Sequence, residues 1–253
     1  MKVAAVQHDI VWEEPKANFE HLAPLIDGAA RAGARLIALT EMYSTGFSMR
    51  PEQVAEPVDG PSTQFLVDKA VAHDVWICAS IPELPDGAAR PFNQLVLAAP
   101  DGTRHRYAKV HPFSYGREHE HYAAGDAQLT VDIEGVRVTP LVCYDLRFAY
   151  AFWDVAVDTD CYVVVANWPA ARRVHWQVLL RARAIENQAY VVGVNRVGSG
   201  GNLDYVGDSC IVDPLGEVLA SAAEVETVLV ADVDSARVAA TRAKFPFLND
   251  RRR

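Results

Sequence analysis

The chain has 253 residues, 50% of them apolar, which is enough for a well-buried core in one large domain or two small ones. Its formal net charge of -9 gives no general attraction for phosphate backbones or anionic lipid surfaces, which argues against nucleic-acid and membrane partners. No apolar run approaches the roughly 20 residues that cross a bilayer, and the opening run is too brief for a signal core, so a cytoplasmic protein is expected.

Apolar patterning along the chain alternates between strand-like and helix-like segments. Residues 3–7 form the first expected strand, 18–32 a helix and 35–40 a short buried strand. The turn Gly60-Pro61-Ser62 opens a helix over 62–73 with Ser62 as its N-cap, and 76–81 is the next strand. Strands 93–98 and 104–107 then flank Pro100-Asp101-Gly102, a hairpin turn. The order recurs: strand 136–143, a helix near 148–157, strand 161–167, helix 176–188, strand 190–195, and a second hairpin around Asp213-Pro214-Leu215-Gly216. Two pseudo-repeated halves, each a sheet with helices on one face, bury their bare faces by packing together into a four-layer α-β-β-α sandwich of the α/β class. No linker separates them, so residues 1–253 are expected to be a single domain, with a solvated basic tail over about 249–253.

Three polar residues close apolar strands: Glu41 after Leu39-Thr40, Lys109 after Tyr107-Ala108, and Cys143 after Leu141-Val142. Strand ends are where α/β folds place their sites. Singly, each also fits a bland role, since cysteine is commonly a small buried hydrophobe and a strand-terminal Glu or Lys is commonly solvated. The string Val142-Cys143-Tyr144-Asp145-Leu146-Arg147 has the form of a nucleophile turn, and a cysteine entering a helix beside a lysine would be biased toward thiolate. The other cysteines, Cys78, Cys161 and Cys210, have no CxxC partner and are expected to be reduced structural thiols.

Taken together, Leu39-Thr40-Glu41, Tyr107-Ala108-Lys109-Val110-His111 and Cys143-Tyr144-Asp145-Leu146-Arg147-Phe148 resemble the Glu-Lys-Cys signature of the nitrilase, or carbon–nitrogen hydrolase, superfamily. Asn167-Trp168-Pro169, the Arg181-Ala182-Arg183-Ala184-Ile185-Glu186-Asn187-Gln188 helix and Gly207-Asp208-Ser209 resemble its later blocks, so the likeness covers nearly the whole chain. Within the superfamily the ω-amidase and Nit-like branch, which acts on 2-oxo acid ω-amides, is the best match.

The resemblance implies a cofactor-independent thiol amidohydrolase. Cys143 would attack a small amide, Glu41 would move its proton to the leaving nitrogen, and a thioester would then be hydrolysed. Lys109 and the backbone N–H of Tyr144 would hold the oxyanion. A further carboxylate is implied near Lys109: Glu118 fits by its distance to Gly125, and Glu120 is the alternative register. A retained substrate carboxylate calls for a planar guanidinium, for which Arg172 is the candidate, with Arg173 and Arg147 as neighbours. Tyr43, Phe47, Phe113, Tyr115 and Trp168 are candidate pocket walls. Homodimers or homotetramers are also implied.

Other readings remain open at this level. His111, His119 and His121 lie near Glu118 and Glu120 and could form a metal site, although no second ligand motif accompanies them. A non-catalytic interaction protein could use the same sandwich. A nitrile or N-carbamoyl substrate would keep the same catalytic group and change only the pocket.

Overall fold

The computed structural model describes residues 1–252. The first half comprises β1 (Lys2–Gln7), α1 (Pro15–Arg31), β2 (Leu36–Ala38), α2 (Pro51–Val54), β3 (Glu56–Pro57), α3 (Pro61–His73), β4 (Trp76–Leu84), β5 (Phe92–Ala98), β6 (Arg104–Ala108) and the one-turn α4 (Glu118–His121). The second half runs through β7 (Val131–Ile133), β8 (Val136–Val142), α5 (Ala149–Trp153), β9 (Cys161–Ala166), α6 (Arg173–Asn187) and β10 (Tyr190–Asn195). It ends with β11 (Val197–Gly200), β12 (Leu203–Val212), β13 (Val218–Ala223), β14 (Thr227–Asp232) and α7 (Ser235–Lys244).

The strands form two seven-stranded sheets, the first built from β1–β6 with β14 and the second from β7–β13. In the first, β1, β2 and β4 are parallel and β5–β6 is an antiparallel hairpin beside β4. In the second, β8, β9 and β10 repeat the parallel trio and β12–β13 repeats the hairpin. The central parallel strands β1, β2, β4, β8, β9 and β10 are buried along most of their length, which is why they are predominantly apolar. Along β1, Ala4 and Val6 face Leu22, Ile26 and Leu66 under α1 and α3, while Val3 and Ala5 face the opposite sheet. In the second sheet Leu141 and Val164 stand in register with Gly193, whose face packs against Trp176 and Leu180 of α6. The result is the four-layer α-β-β-α sandwich.

Several elements differ from the sequence-based expectation. The helix after Cys143 is only Ala149–Trp153, followed by a 3₁₀ turn Ala156–Asp158. Its aromatic residues are poor helix formers, and the Thr159 hydroxyl donates to the Val155 carbonyl at 2.9 Å, taking an acceptor that a continuing helix would use. Strand β14 returns to the first sheet, antiparallel to β1 from Lys2↔Asp232 to Gln7↔Thr227, a crossing that the pseudo-repeat did not predict. In the basic tail Asn249, Asp250 and Arg252 are exposed, while Arg251 is half-buried with its guanidinium 5.0 Å from the Trp153 ring. Arg253 falls outside the described residues.

Candidate active site

Glu41 and Cys143 are both presented by left-handed backbone at the end of a parallel strand. Met42, just after Glu41, has φ 42°, and Cys143 itself has φ 44°. Such conformations cost L-residues roughly 1–2 kcal/mol each and persist where the surroundings hold them. At Cys143 the chain turns straight from β8 into a 3₁₀ turn, Cys143–Arg147. Asp145 in that turn accepts from the Val142 backbone N–H at 2.9 Å and from the Tyr107 hydroxyl at 2.8 Å. A single 3₁₀ turn replaces the helix expected at this point, so little of a helix dipole acts on the thiol.

Lys109 follows β6 and is buried. Its Nζ donates to Glu41 Oε1 at 2.8 Å and to Glu118 Oε1 and Oε2 at 3.1 and 2.9 Å. Asn93, on β5, donates through Nδ2 to Glu41 Oε1 at 2.8 Å and to Glu118 Oε1 at 2.9 Å. Glu41 Oε2 accepts the Asn167 backbone N–H at 2.8 Å, and Glu118 Oε2 accepts the Phe113 N–H at 2.5 Å. The two carboxylates and one lysine therefore form a buried network whose remaining acceptor positions are filled by amides, as burial of charge requires. The loop carrying Glu118 closes onto this network through Gly125, whose N–H donates to the Lys109 carbonyl at 2.9 Å. A Cβ at Gly125 would sit 2.2 Å from the Ala108 oxygen, so only glycine permits the approach.

Burial pushes the Cys143 thiol well above its usual range; the Glu41 carboxylate adds to this and outweighs the opposing Lys109. The bias toward thiolate expected from a helix entry and a neighbouring lysine is thus not met: Lys109 is bound by two carboxylates, Glu41 and Glu118. Burial lowers the affinity of Lys109 for its proton, but Glu118 and Glu41 more than reverse this and hold it as an ammonium. Burial raises Glu118 despite Lys109.

Beside the thiol lies a cavity of about 240 Å³, lined by Phe47, Phe113, Tyr115, Tyr144, Arg147, Asn167, Trp168 and Arg172 among others. Tyr43, expected in its wall, is not there. The left-handed turn at Met42 sends it under α3, where its ring packs beside Phe19 and Phe65 and its hydroxyl donates to the Ser62 carbonyl at 2.6 Å. Glu120 is likewise away from the site, paired with Arg117 on the surface. Of the three arginines, Arg173 is engaged by Asp208 and Glu224, and Arg147 bonds His175 and lies 4.9 Å from the Trp168 ring. Arg172 rests 5.1 Å from the Phe113 ring and has no carboxylate partner among the described residues.

The histidines do not converge. His111 bonds Asp145 and Tyr150, and among the described residues no three His, Cys, Asp or Glu side chains are grouped to hold a metal. The sequence reading missed Asn93 and the cavity residues Trp12, Met49, Leu203 and Tyr205. No local pattern marks them, since their roles arise only when distant loops meet.

The family model described as carbon-nitrogen hydrolase matches residues 2–243. The chain belongs to the carbon–nitrogen hydrolase family. Among curated carbon–nitrogen hydrolase relatives, omega-amidase YafV of Escherichia coli is 40% identical, over 99% of this chain and 96% of its own. The 2-oxoglutaramate amidase of Bacillus subtilis is 30% identical, over 99% and 97%. Among solved structures, a CN-hydrolase superfamily protein of Xanthomonas campestris aligns with TM-score 0.94 and 38% identity, covering 100% of this chain and 97% of that one. Nit3 of Saccharomyces cerevisiae, a nitrilase superfamily member, aligns with TM-score 0.89 and 26% identity, covering 97% and 94%.

Proposed function

We propose that this carbon–nitrogen hydrolase is an ω-amidase that converts a 2-oxo acid ω-amide, such as 2-oxoglutaramate or 2-oxosuccinamate, into the dicarboxylic acid and ammonia. The observation that carries the reading is the buried Glu41–Lys109–Glu118 network next to Cys143, whose thiol lines a small, arginine-bearing cavity. The relatives named as omega-amidase and 2-oxoglutaramate amidase support the substrate class.

In this mechanism the thiol is protonated at rest, so its proton must leave as the bond to carbon forms. Glu41 accepts that proton while Sγ attacks the amide carbonyl. The oxyanion is held by the Lys109 ammonium and the Tyr144 N–H. Glu41 then delivers the proton to nitrogen, ammonia leaves, and a thioester remains on Cys143. Water, deprotonated by the same carboxylate, releases the acid. Glu118 keeps Lys109 charged and fixed in place, and Arg172 pairs with the substrate's distal carboxylate. Phe113, Tyr115 and Trp168 shape the walls.

Copies of the chain are further proposed to associate through the α5–α6 face, where Tyr150, Val174, Val178 and Ile185 are exposed. Light scattering after size exclusion is expected to show a dimer or tetramer; a monomer at micromolar concentration would contradict this.

The test of the substrate class is ammonia release from 2-oxoglutaramate and 2-oxosuccinamate beside glutamine, a nitrile and an N-carbamoyl amino acid. Preference for the 2-oxo amides is expected. Preference for the nitrile or the N-carbamoyl compound would overturn the assignment.

A further inference from the structure

Buried tyrosine hydroxyls are costly unless they find an acceptor. Four buried tyrosines in this chain do so within the protein: Tyr43 donates to the Ser62 carbonyl at 2.6 Å, Tyr107 to Asp145 at 2.8 Å, Tyr122 to the Ser48 carbonyl at 2.8 Å and Tyr162 to the Phe152 carbonyl at 2.7 Å. Tyr190 and Tyr205 are also buried without an acceptor for the hydroxyl among the described residues, and of these two it is Tyr205, on β12 and only 5% exposed, that faces the cavity. It lines the cavity that holds Cys143 and Arg172.

The ring is held firmly. The guanidinium of Arg196, wholly buried, lies 4.6 Å from the centroid of the Tyr205 ring. Arg196 is itself fixed by Asp9 Oδ1 at 2.7 Å and by the Ile10 and Ser199 carbonyls, both at 3.1 Å. Such a support resists rotation of the ring, and a cation on its face draws electron density from the phenol and strengthens it as a donor. Burial pushes the Tyr205 hydroxyl up to about 12, so it remains a neutral donor throughout the working range. Tyr205 shares the cavity with Cys143 and Arg172, and Glu41, Cys143 and Arg172 are all near enough to act electrostatically on its hydroxyl.

Resting on the ω-amidase reading, we infer that Tyr205 is a specificity-determining residue whose hydroxyl donates to the 2-oxo oxygen of the substrate. A neutral phenol suits an uncharged ketone oxygen, whereas the carboxylate next to that ketone is matched by the guanidinium of Arg172. A substrate without the oxo group would leave the hydroxyl buried and unpaired, which is how a hydrogen-bonding site rejects an analogue.

The test compares 2-oxoglutaramate with glutaramate, the same chain without the oxo group, in the wild-type protein and in Tyr205→Phe. The substitution keeps the ring on Arg196, and equal thermal midpoints check that the fold is unchanged. Wild type is expected to favour 2-oxoglutaramate in kcat/KM. Tyr205→Phe is expected to lose about 10- to 100-fold on 2-oxoglutaramate while its value on glutaramate changes less than about threefold. Equal losses on both substrates, or an unchanged preference, would overturn the role of Tyr205 and leave the ω-amidase reading standing. Failure of the wild type to hydrolyse 2-oxoglutaramate would overturn both.

Discussion

Asp145 grips His111 at two points, accepting from its backbone N–H at 3.0 Å and from its ring Nδ1 at 2.7 Å. Asp145 lies two residues past Cys143 and His111 two residues past Lys109, so this one carboxylate fastens the turn of the proposed nucleophile to the segment of the proposed oxyanion cation. It is completely buried and also binds Tyr107 and Val142. Asp145→Ala would leave several buried donors unpaired and is expected to lower unfolding free energy by about 2–4 kcal/mol. Urea unfolding measures this; a change below about 0.5 kcal/mol would show that the clamp is dispensable.

The two neighbouring carboxylates of α4 separate cleanly. Glu118 is buried against Lys109, whereas Glu120 is exposed and bound to Arg117. Glu118→Gln is expected to lower kcat/KM for 2-oxoglutaramate by roughly 10²-fold or more, and Glu120→Gln to stay within about twofold. Steady-state ammonia release decides between them, and comparable losses in the two variants would count against a special role for Glu118.

Arg172 lines the cavity with no carboxylate partner among the described residues, whereas Arg147 is bonded to His175 and stacked on Trp168 and Arg173 is engaged by Asp208 and Glu224. Arg172→Lys is expected to raise KM for 2-oxoglutaramate by roughly 10-fold with kcat much less affected, because lysine cannot present the paired donors of a guanidinium. Arg173→Lys is expected to leave KM unchanged. The opposite pattern would transfer the carboxylate contact to Arg173.

Acid should weaken the fold through a residue outside the proposed chemistry. His8 is fully buried, with Nε2 2.9 Å from the Thr40 hydroxyl and Nδ1 2.8 Å from the Asp9 carbonyl, and burial lowers it from 6.5 to about 4. The folded ring stays neutral where the unfolded ring takes up a proton. Its contribution is therefore complete above pH 6.5 and declines as pH falls from 6.5 toward 4, by a total on the order of 3 kcal/mol. Urea midpoints at pH 7, 5.5 and 4 should show this slope in wild type and a shallower one in His8→Gln; parallel slopes would refute the assignment.

Much of the architecture was legible because the parallel strands are buried on both faces and announce themselves as apolar runs. Glu41 and Cys143 stood out as polar residues closing such runs, Lys109 as the residue ending the hairpin strand Arg104–Ala108, and the spacing to Gly125 pointed to Glu118. What escaped was set by contacts between distant segments. Asn93 begins a strand like many surface asparagines, and nothing local shows that its amide bridges two carboxylates. Tyr43 follows Glu41 closely enough to suggest a pocket wall, but the left-handed Met42 rotates it into the core. The place of β14 depends on which sheet edge is free, a property of the assembled fold rather than of residues 227–232.

The central claim is that Cys143 carries the acyl group. The most direct measurement is intact-protein mass after acid quenching during turnover of 2-oxoglutaramate, with ammonia release followed in parallel in Cys143→Ala. The account predicts an acyl adduct that maps to the peptide containing Cys143, and a loss of at least roughly 10³-fold in the variant. An adduct on another residue, or ammonia release by Cys143→Ala at the wild-type rate, would contradict it.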